Sequence, residues 1–144
     1  MSFLLDTNAV SEWVKPHPDP GFLRWTDSVD EDRVFLSVIS LAEVRYGIER
    51  MAPGLRRRRL EEWLQHELPL RFESRILPVD AGIADAWGKV ASRSVAVGRP
   101  MSAMDAFLAA TAEFHHLTLV TRNVSDFPLL KAIVSPWTET PPKA

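Results

Sequence analysis

The sequence predicts an α/β domain, with a mainly parallel sheet covered by helices on both faces. Three observations predict it. Short apolar strands alternate with helical segments along the whole chain, the pattern of parallel strands joined by helical crossovers. The chain has 144 residues, 46% hydrophobic and 25% charged, enough for one packed core and hardly for two. No internal repeat or linker divides it. A single domain over 1–135 is therefore expected, followed by a proline-rich tail, 136–144, that frays.

The elements follow in order. Phe3-Leu4-Leu5 is an apolar run stopped by Asp6 and reads as a buried strand. Thr7-Asn8 offers a helix cap, with Ala9 to Val14 helical. Pro16, Pro18, Pro20 and Gly21 force a loop before a helix at about Phe22 to Ser28. Arg33 to Val38 is a strand. Ser40 opens a helix that places Leu41, Val44, Ile48 and Met51 on one face. Pro53-Gly54 ends it, and Leu55 to Leu68 forms the next helix. Ile76 to Val79 is a strand whose Pro78 argues for an edge or a strand end. Ala81 to Val97 is a long helix closed by Gly98-Arg99-Pro100. Ser102 opens a helix through about His115, apolar on most faces and so expected to be buried. Leu117 to Thr121 is a strand, Asn123 to Leu130 a loop with a short helix, and Ile133-Val134 the last strand.

Composition removes several function classes. The chain has no cysteine, which excludes disulfides, thiolate chemistry and cysteine zinc sites. Its first residues have no basic n-region, and Asp6 cuts the apolar run short, unlike a signal peptide. No apolar stretch approaches the roughly 20 residues of a membrane span. A soluble, cytoplasmic protein without a membrane partner is expected. The 17 basic and 19 acidic residues leave a net charge of −2. That argues against gripping nucleic acid through bulk charge, but not against a nuclease whose own site is acidic. There is no glycine-rich phosphate loop, no His-Glu-x-x-His and no dinucleotide fingerprint.

Four acids stand where the chemistry would gather. Asp6 ends the first strand, Glu43 lies in the first turn of the helix after the second, Asp105 in the first turn of the buried helix, and Asp126 after the strand ending at Thr121. In a parallel sheet the strands' carboxyl ends and the following helix N-termini share one edge, where ligands bind. Clustered carboxylates raise each other's pKa, and a hard divalent cation relieves the repulsion. Mg²⁺ or Mn²⁺ there would polarise a phosphate and activate water for phosphodiester hydrolysis. Each acid alone also has a structural explanation. Ser40-Leu41-Ala42-Glu43 fits a capping box, Ser102-Ala103-Met104-Asp105 is its near-equivalent, and Asp126 suits a turn. The joint placement carries the argument.

Leu4-Leu5-Asp6-Thr7-Asn8, Ser40-Leu41-Ala42-Glu43-Val44-Arg45-Tyr46-Gly47, Met104-Asp105-Ala106-Phe107-Leu108-Ala109-Ala110-Thr111-Ala112 and Thr121-Arg122-Asn123-Val124-Ser125-Asp126-Phe127 resemble, in order, the successive motifs of PIN domains. Among these the chain is most similar to the VapC and FitB toxins. The resemblance implies a three-layer α/β/α sandwich, commonly dimeric. It implies a type II toxin that cleaves RNA with Mg²⁺, for which Mn²⁺ substitutes, and that a cognate antitoxin blocks. DNA would be reached only through the antitoxin. Asp6, Glu43, Asp105 and Asp126 match the family's metal site, Thr121 the hydroxyl that orders it, and Asn8 a neighbouring polar residue.

The remaining features divide between function and structure. Arg56 to Arg59 would serve RNA or an acidic partner, although consecutive residues point around a helix and cannot share one stripe. Arg122, beside the site, is the better phosphate contact. Trp13, Trp25 and Trp63 lie near a partner groove expected along Ser40 to Leu68, yet core packing explains them equally. Two rival functions remain. A phosphohydrolase using Asp6 as nucleophile would want a second acid where Asn8 stands. A PIN-fold protein acting mainly through antitoxin binding and promoter regulation would have little catalysis.

Overall fold

The computed structural model describes residues 1–138. Five parallel strands form one sheet: β1 (Phe3–Leu5), β2 (Val34–Ser37), β3 (Ile76–Leu77), β4 (Thr118–Val120) and β5 (Ile133–Val134), in the order β3-β2-β1-β4-β5. The chain builds outward from β1 on one side and then returns to build on the other. The strand order therefore switches direction beside β1, the position at which open α/β sheets form their ligand crevice. Pro78 directly follows β3, an edge strand, as its missing N–H requires.

Side-chain alternation sorts the core into two layers. Phe3, Leu5, Val34, Leu36 and Val120 point to one face and pack with Val10, Phe22, Val44, Ile48, Leu64, Leu68 and Phe72. Leu4 and Leu119 point to the other and pack with Val90, Ala106, Leu108, Ala109, Ala110, Ala112, Phe127 and Leu130. The first face is covered by α1 (Thr7–Glu12), α2 (Pro20–Ser28), α3 (Val38–Glu49), α4 (Leu55–Glu62) and α5 (Leu68–Phe72). The second is covered by α6 (Ala81–Ala96) and α7 (Ala103–Phe114). The fold is the three-layer α/β/α sandwich. No helix among the described residues is long and apolar enough to cross a membrane.

Four local expectations need correction. Asp6, not Thr7-Asn8, caps α1: its carboxylate accepts the Thr7 N–H at 2.6 Å, and the helix begins at Thr7. Ser37 caps α3, accepting the Ile39 N–H at 3.0 Å, so Ser40 and Glu43 lie inside the helix and form no capping box. Leu55 to Leu68 is not one regular helix. Pro69 has no N–H for the Gln65 carbonyl and crowds it, and the chain widens just before, through a π turn at Trp63–Glu67. Finally, packing runs past residue 135. Trp137 is buried, stacks on Phe22 with ring centroids 5.0 Å apart, and donates its indole N–H to Glu12 at 2.8 Å. The rest of the expected tail, 139–144, lies outside the described residues.

Candidate active site

The site is assembled by strand register. Leu5 pairs with Val120, so the next residues, Asp6 and Thr121, emerge side by side at the carboxyl edge of the sheet. The Thr121 hydroxyl donates to Asp6 Oδ2 at 2.7 Å, and the Asp6 N–H donates to the Val120 carbonyl at 2.9 Å. Asn8 braces the pair from α1. Its amide nitrogen stands 3.3 Å from Thr121 Oγ1 and 3.4 Å from Asp6 Oδ2, while its Oδ1 accepts the Arg122 N–H at 3.1 Å.

Glu43 comes from the second turn of α3, not the first as expected, because the helix starts at Val38 rather than at Ser40. The Thr7 hydroxyl donates to Glu43 Oε1 at 2.5 Å and stands 3.2 Å from the buried Ser40 hydroxyl. Asp105 comes from the first turn of α7, where its N–H donates to the capping Ser102 hydroxyl at 3.1 Å. Asp126 ends a short 3₁₀ turn, Val124–Asp126, on the loop after β4. Its side chain is exposed, whereas Asp105 and Glu43 are half-buried and Asp6 is only 7% accessible.

Two of these acids respond to their neighbours. Burial pushes the Asp6 carboxyl up to about 6, against hydrogen bonds from Thr121 and Thr7 that lower it, and the charges of Asp105 and Glu43 add to the rise. Burial likewise raises Asp105, with Asp126 and Glu43 contributing repulsion. Among the described residues none of the four has an ion-pair partner within 4 Å. The cluster's own ligating atoms are carboxylate and hydroxyl oxygens, the donor set of a hard divalent cation. No three His, Asp or Glu side chains among the described residues already close to metal-holding distance. Mg²⁺ keeps several waters and commonly takes one or two carboxylates directly, so acids spaced too widely to close on one ion by themselves still fit it.

The cations near the acids divide between ion pairs and grooves. Arg122 meets the site through its backbone N–H, and the same residue lines a cavity with Glu12, Lys15 and Trp137. The run Arg56 to Arg59 splits. Arg57 is held by Glu49 at 2.7 Å, Glu61 at 2.9 Å and the Met51 carbonyl at 2.9 Å. Arg56 and Arg59 line a groove of about 680 Å³ with Val14, Leu60 and Trp63. An adjoining cavity of about 270 Å³ contains Arg56, Leu60 and Trp63 together with Thr7 and Glu43, so the groove opens toward the acids. Trp13 and Trp25 instead pack on Phe22 and Phe3, with centroids 5.5 Å and 5.1 Å apart. Sequence reasoning missed two residues here, Thr7 and Ser40. Thr7 sits between Asp6 and Asn8, and its contact with α3 has no local signature.

Such a sheet edge, with acids from β1, α3, α7 and the loop after β4, defines a class of small acid-site α/β domains. Residues 3–128 match the PIN domain family, and the chain belongs to it. It is 36% identical over 135 residues to the toxin FitB of Neisseria gonorrhoeae, covering 93% of this chain and 97% of that one. It is 32% identical over 135 residues to the VapC ribonuclease Y4jK of Sinorhizobium fredii, covering 93% and 96%. A crystal structure of FitAcB from Neisseria gonorrhoeae superposes with a TM-score of 0.87 at 35% identity, covering 95% of this chain and 99% of the other. A structure of FitAB bound to a DNA fragment gives the same TM-score at 33% identity, covering 95% and 96%.

Proposed function

We propose that this chain is the toxin of a type II toxin–antitoxin pair and a divalent-metal-dependent ribonuclease, with Asp6, Glu43, Asp105 and Asp126 as its metal-holding acids. The observation that supports this reading is the buried Asp6 carboxyl, its pKa pushed up to about 6 with the charges of Asp105 and Glu43 adding to the rise, and Asp105 raised in turn beside Asp126 and Glu43. Such burial of like charge is costly unless a cation compensates it. Bound Mg²⁺ or Mn²⁺ would supply charge neutralisation and Lewis acidity at the scissile phosphate. The protein's own part is orientation. Thr121 and the Thr7 N–H aim Asp6, the Thr7 hydroxyl aims Glu43, and Asn8 ties both strands' ends to α1.

The proposed partner follows from relatives whose structures are toxin–antitoxin complexes. An apolar antitoxin segment would lie in the groove of Val14, Leu60 and Trp63, whose adjoining cavity reaches Glu43, and would thereby cover the acids. Any DNA contact would be made by the antitoxin, since this chain carries a net charge of −2. The toxin is expected to act in the cytoplasm as a homodimer. The test is cleavage of a mixed RNA pool, including tRNA and rRNA fragments, by purified protein with Mn²⁺. The reading expects cutting that EDTA abolishes and that Asp6→Asn reduces at least a hundredfold. An Asp6→Asn variant as fast as the parent would overturn the site.

A further inference from the structure

An RNA strand entering this site meets repulsion between its phosphates and the four carboxylates. With a net charge of −2, the chain has no bulk positive charge to hold the strand's phosphates beyond the scissile one, so any such contact is made by individual side chains. The loop between α6 and α7 supplies one. Gly98 turns the chain at φ +73°, a conformation that favours glycine. The Arg99 N–H then donates to the Ser94 carbonyl at 3.0 Å. Ser94 is itself buried, and its hydroxyl donates to the Ala91 carbonyl at 2.8 Å and accepts the Met101 N–H at 3.2 Å. The backbone is thus tied down at Arg99 and again two residues later, while the Arg99 side chain is exposed.

From this anchored loop, Arg99 Nη2 donates across to the Ser125 carbonyl at 3.2 Å, on the turn that carries Asp126. Between the two segments lies a cavity of about 280 Å³ whose walls include Arg99, Ser102, Ser125, Asp105 and Asp126. Arg99 is the cation in that wall, and two of the site's acids are its neighbours there.

We propose that this cavity is a phosphate subsite for the RNA strand, in which the Arg99 guanidinium donates to the non-bridging oxygens of a phosphate adjacent to the scissile one. The inference rests on the nuclease reading above. A guanidinium offers five N–H donors in a planar fork that matches phosphate oxygens, and Ser125 engages one of them. That bond also restrains the fork at the cavity wall, which reduces the ordering required on binding. The Ser102 hydroxyl is already committed to capping α7.

The test compares Arg99→Ala and Arg99→Gln with the parent and with Lys89→Ala, which removes one exposed positive charge on α6 outside the cavity. Initial rates on the same mixed RNA pool with Mn²⁺ are measured against RNA and KCl concentration, beside melting curves and Mn²⁺ affinity. The proposal expects apparent KM to rise about tenfold in both Arg99 variants, with the larger part of the loss in KM rather than kcat. The slope of log(1/KM) against log[salt] should become shallower by about one. Lys89→Ala should match the parent, and Mn²⁺ affinity should not fall in the Arg99 variants. If both Arg99 variants fold and match Lys89→Ala in KM and salt slope, the subsite is wrong and the nuclease reading stands. If the parent cuts no RNA in the pool, the nuclease reading falls and the subsite with it.

Discussion

The Asp6 carboxyl is buried and held by Thr121 and Thr7, and its titration gives a prediction of known sign. Its folded pKa is about 6 against an ordinary 3.8, so the folded state favours the protonated form. The stability this contributes is fully present below pH 3.8 and is lost as pH rises through 6, provided no cation is bound. Asp6→Asn removes that penalty while keeping the side-chain shape. In EDTA at pH 7.5 the variant should therefore be more stable than the parent by about 1–3 kcal/mol, and the gap should close by pH 4. Urea melts at the two pH values check this, and a pH-independent gap would contradict it. Thr7 gives the second residue-scale prediction. Without its hydroxyl, Glu43 loses its 2.5 Å donor. Thr7→Val should weaken Mn²⁺ binding about tenfold, while Thr7→Ser should keep it, as read by calorimetry. Asp6 was legible in the sequence because a charge cuts an apolar strand. Thr7 was not, because its partner lies 36 residues away in sequence.

At the scale of elements, what the sequence hid were contacts between segments. The helices of both faces follow from apolar spacing and from N-cap residues such as Ser102, whose hydroxyl does accept the Asp105 N–H. The cap of α3 was misplaced because Ser37 and Ser40 are equally good cap residues, and only the end of β2 at Ser37 decides between them. The segment around Trp137 read as frayed because prolines surround it, yet it is held by a buried acceptor. Glu12 is 2% accessible and takes the Trp137 indole N–H at 2.8 Å, the Asp19 N–H at 3.0 Å and Lys15 at 3.1 Å. Trp137→Phe keeps the ring on Phe22 but leaves that carboxylate one donor short. It should cost about 1–3 kcal/mol in a denaturant melt. Gly21 offers a second check on the same clasp. A Cβ there would stand 2.5 Å from the Pro136 carbonyl oxygen and 2.6 Å from Thr138 Cγ2. Gly21→Ala should destabilise the protein by a similar amount, and an unchanged midpoint in either variant would show that the clasp contributes nothing.

For the whole molecule, the sheet order explains why acids distant in sequence come from one edge of the sheet. β1 lies at the centre, with β2 and β4 on its flanks, so the ends of all three strands and the helices that follow open on one edge. This much was readable from the alternation of strands and helices, since parallel strands joined by crossovers leave little freedom. The precise separation of the acids was not readable, because it depends on register, on the turn Val124–Asp126 and on the start of α3. A fold that concentrates repulsion at one edge should gain stability from the cation that relieves it. At a hundred times its dissociation constant, Mn²⁺ should add about 2.7 kcal/mol at pH 7.5.

The most direct measurement is calorimetric titration of Mn²⁺ into the parent and into Asp6→Asn, Glu43→Gln, Asp105→Asn and Asp126→Asn at pH 7.5. A single site built from all four carboxylates predicts saturable binding by the parent and affinity lowered at least tenfold in every variant. A parent that takes up no Mn²⁺, or variants that bind it as tightly as the parent, would contradict the account.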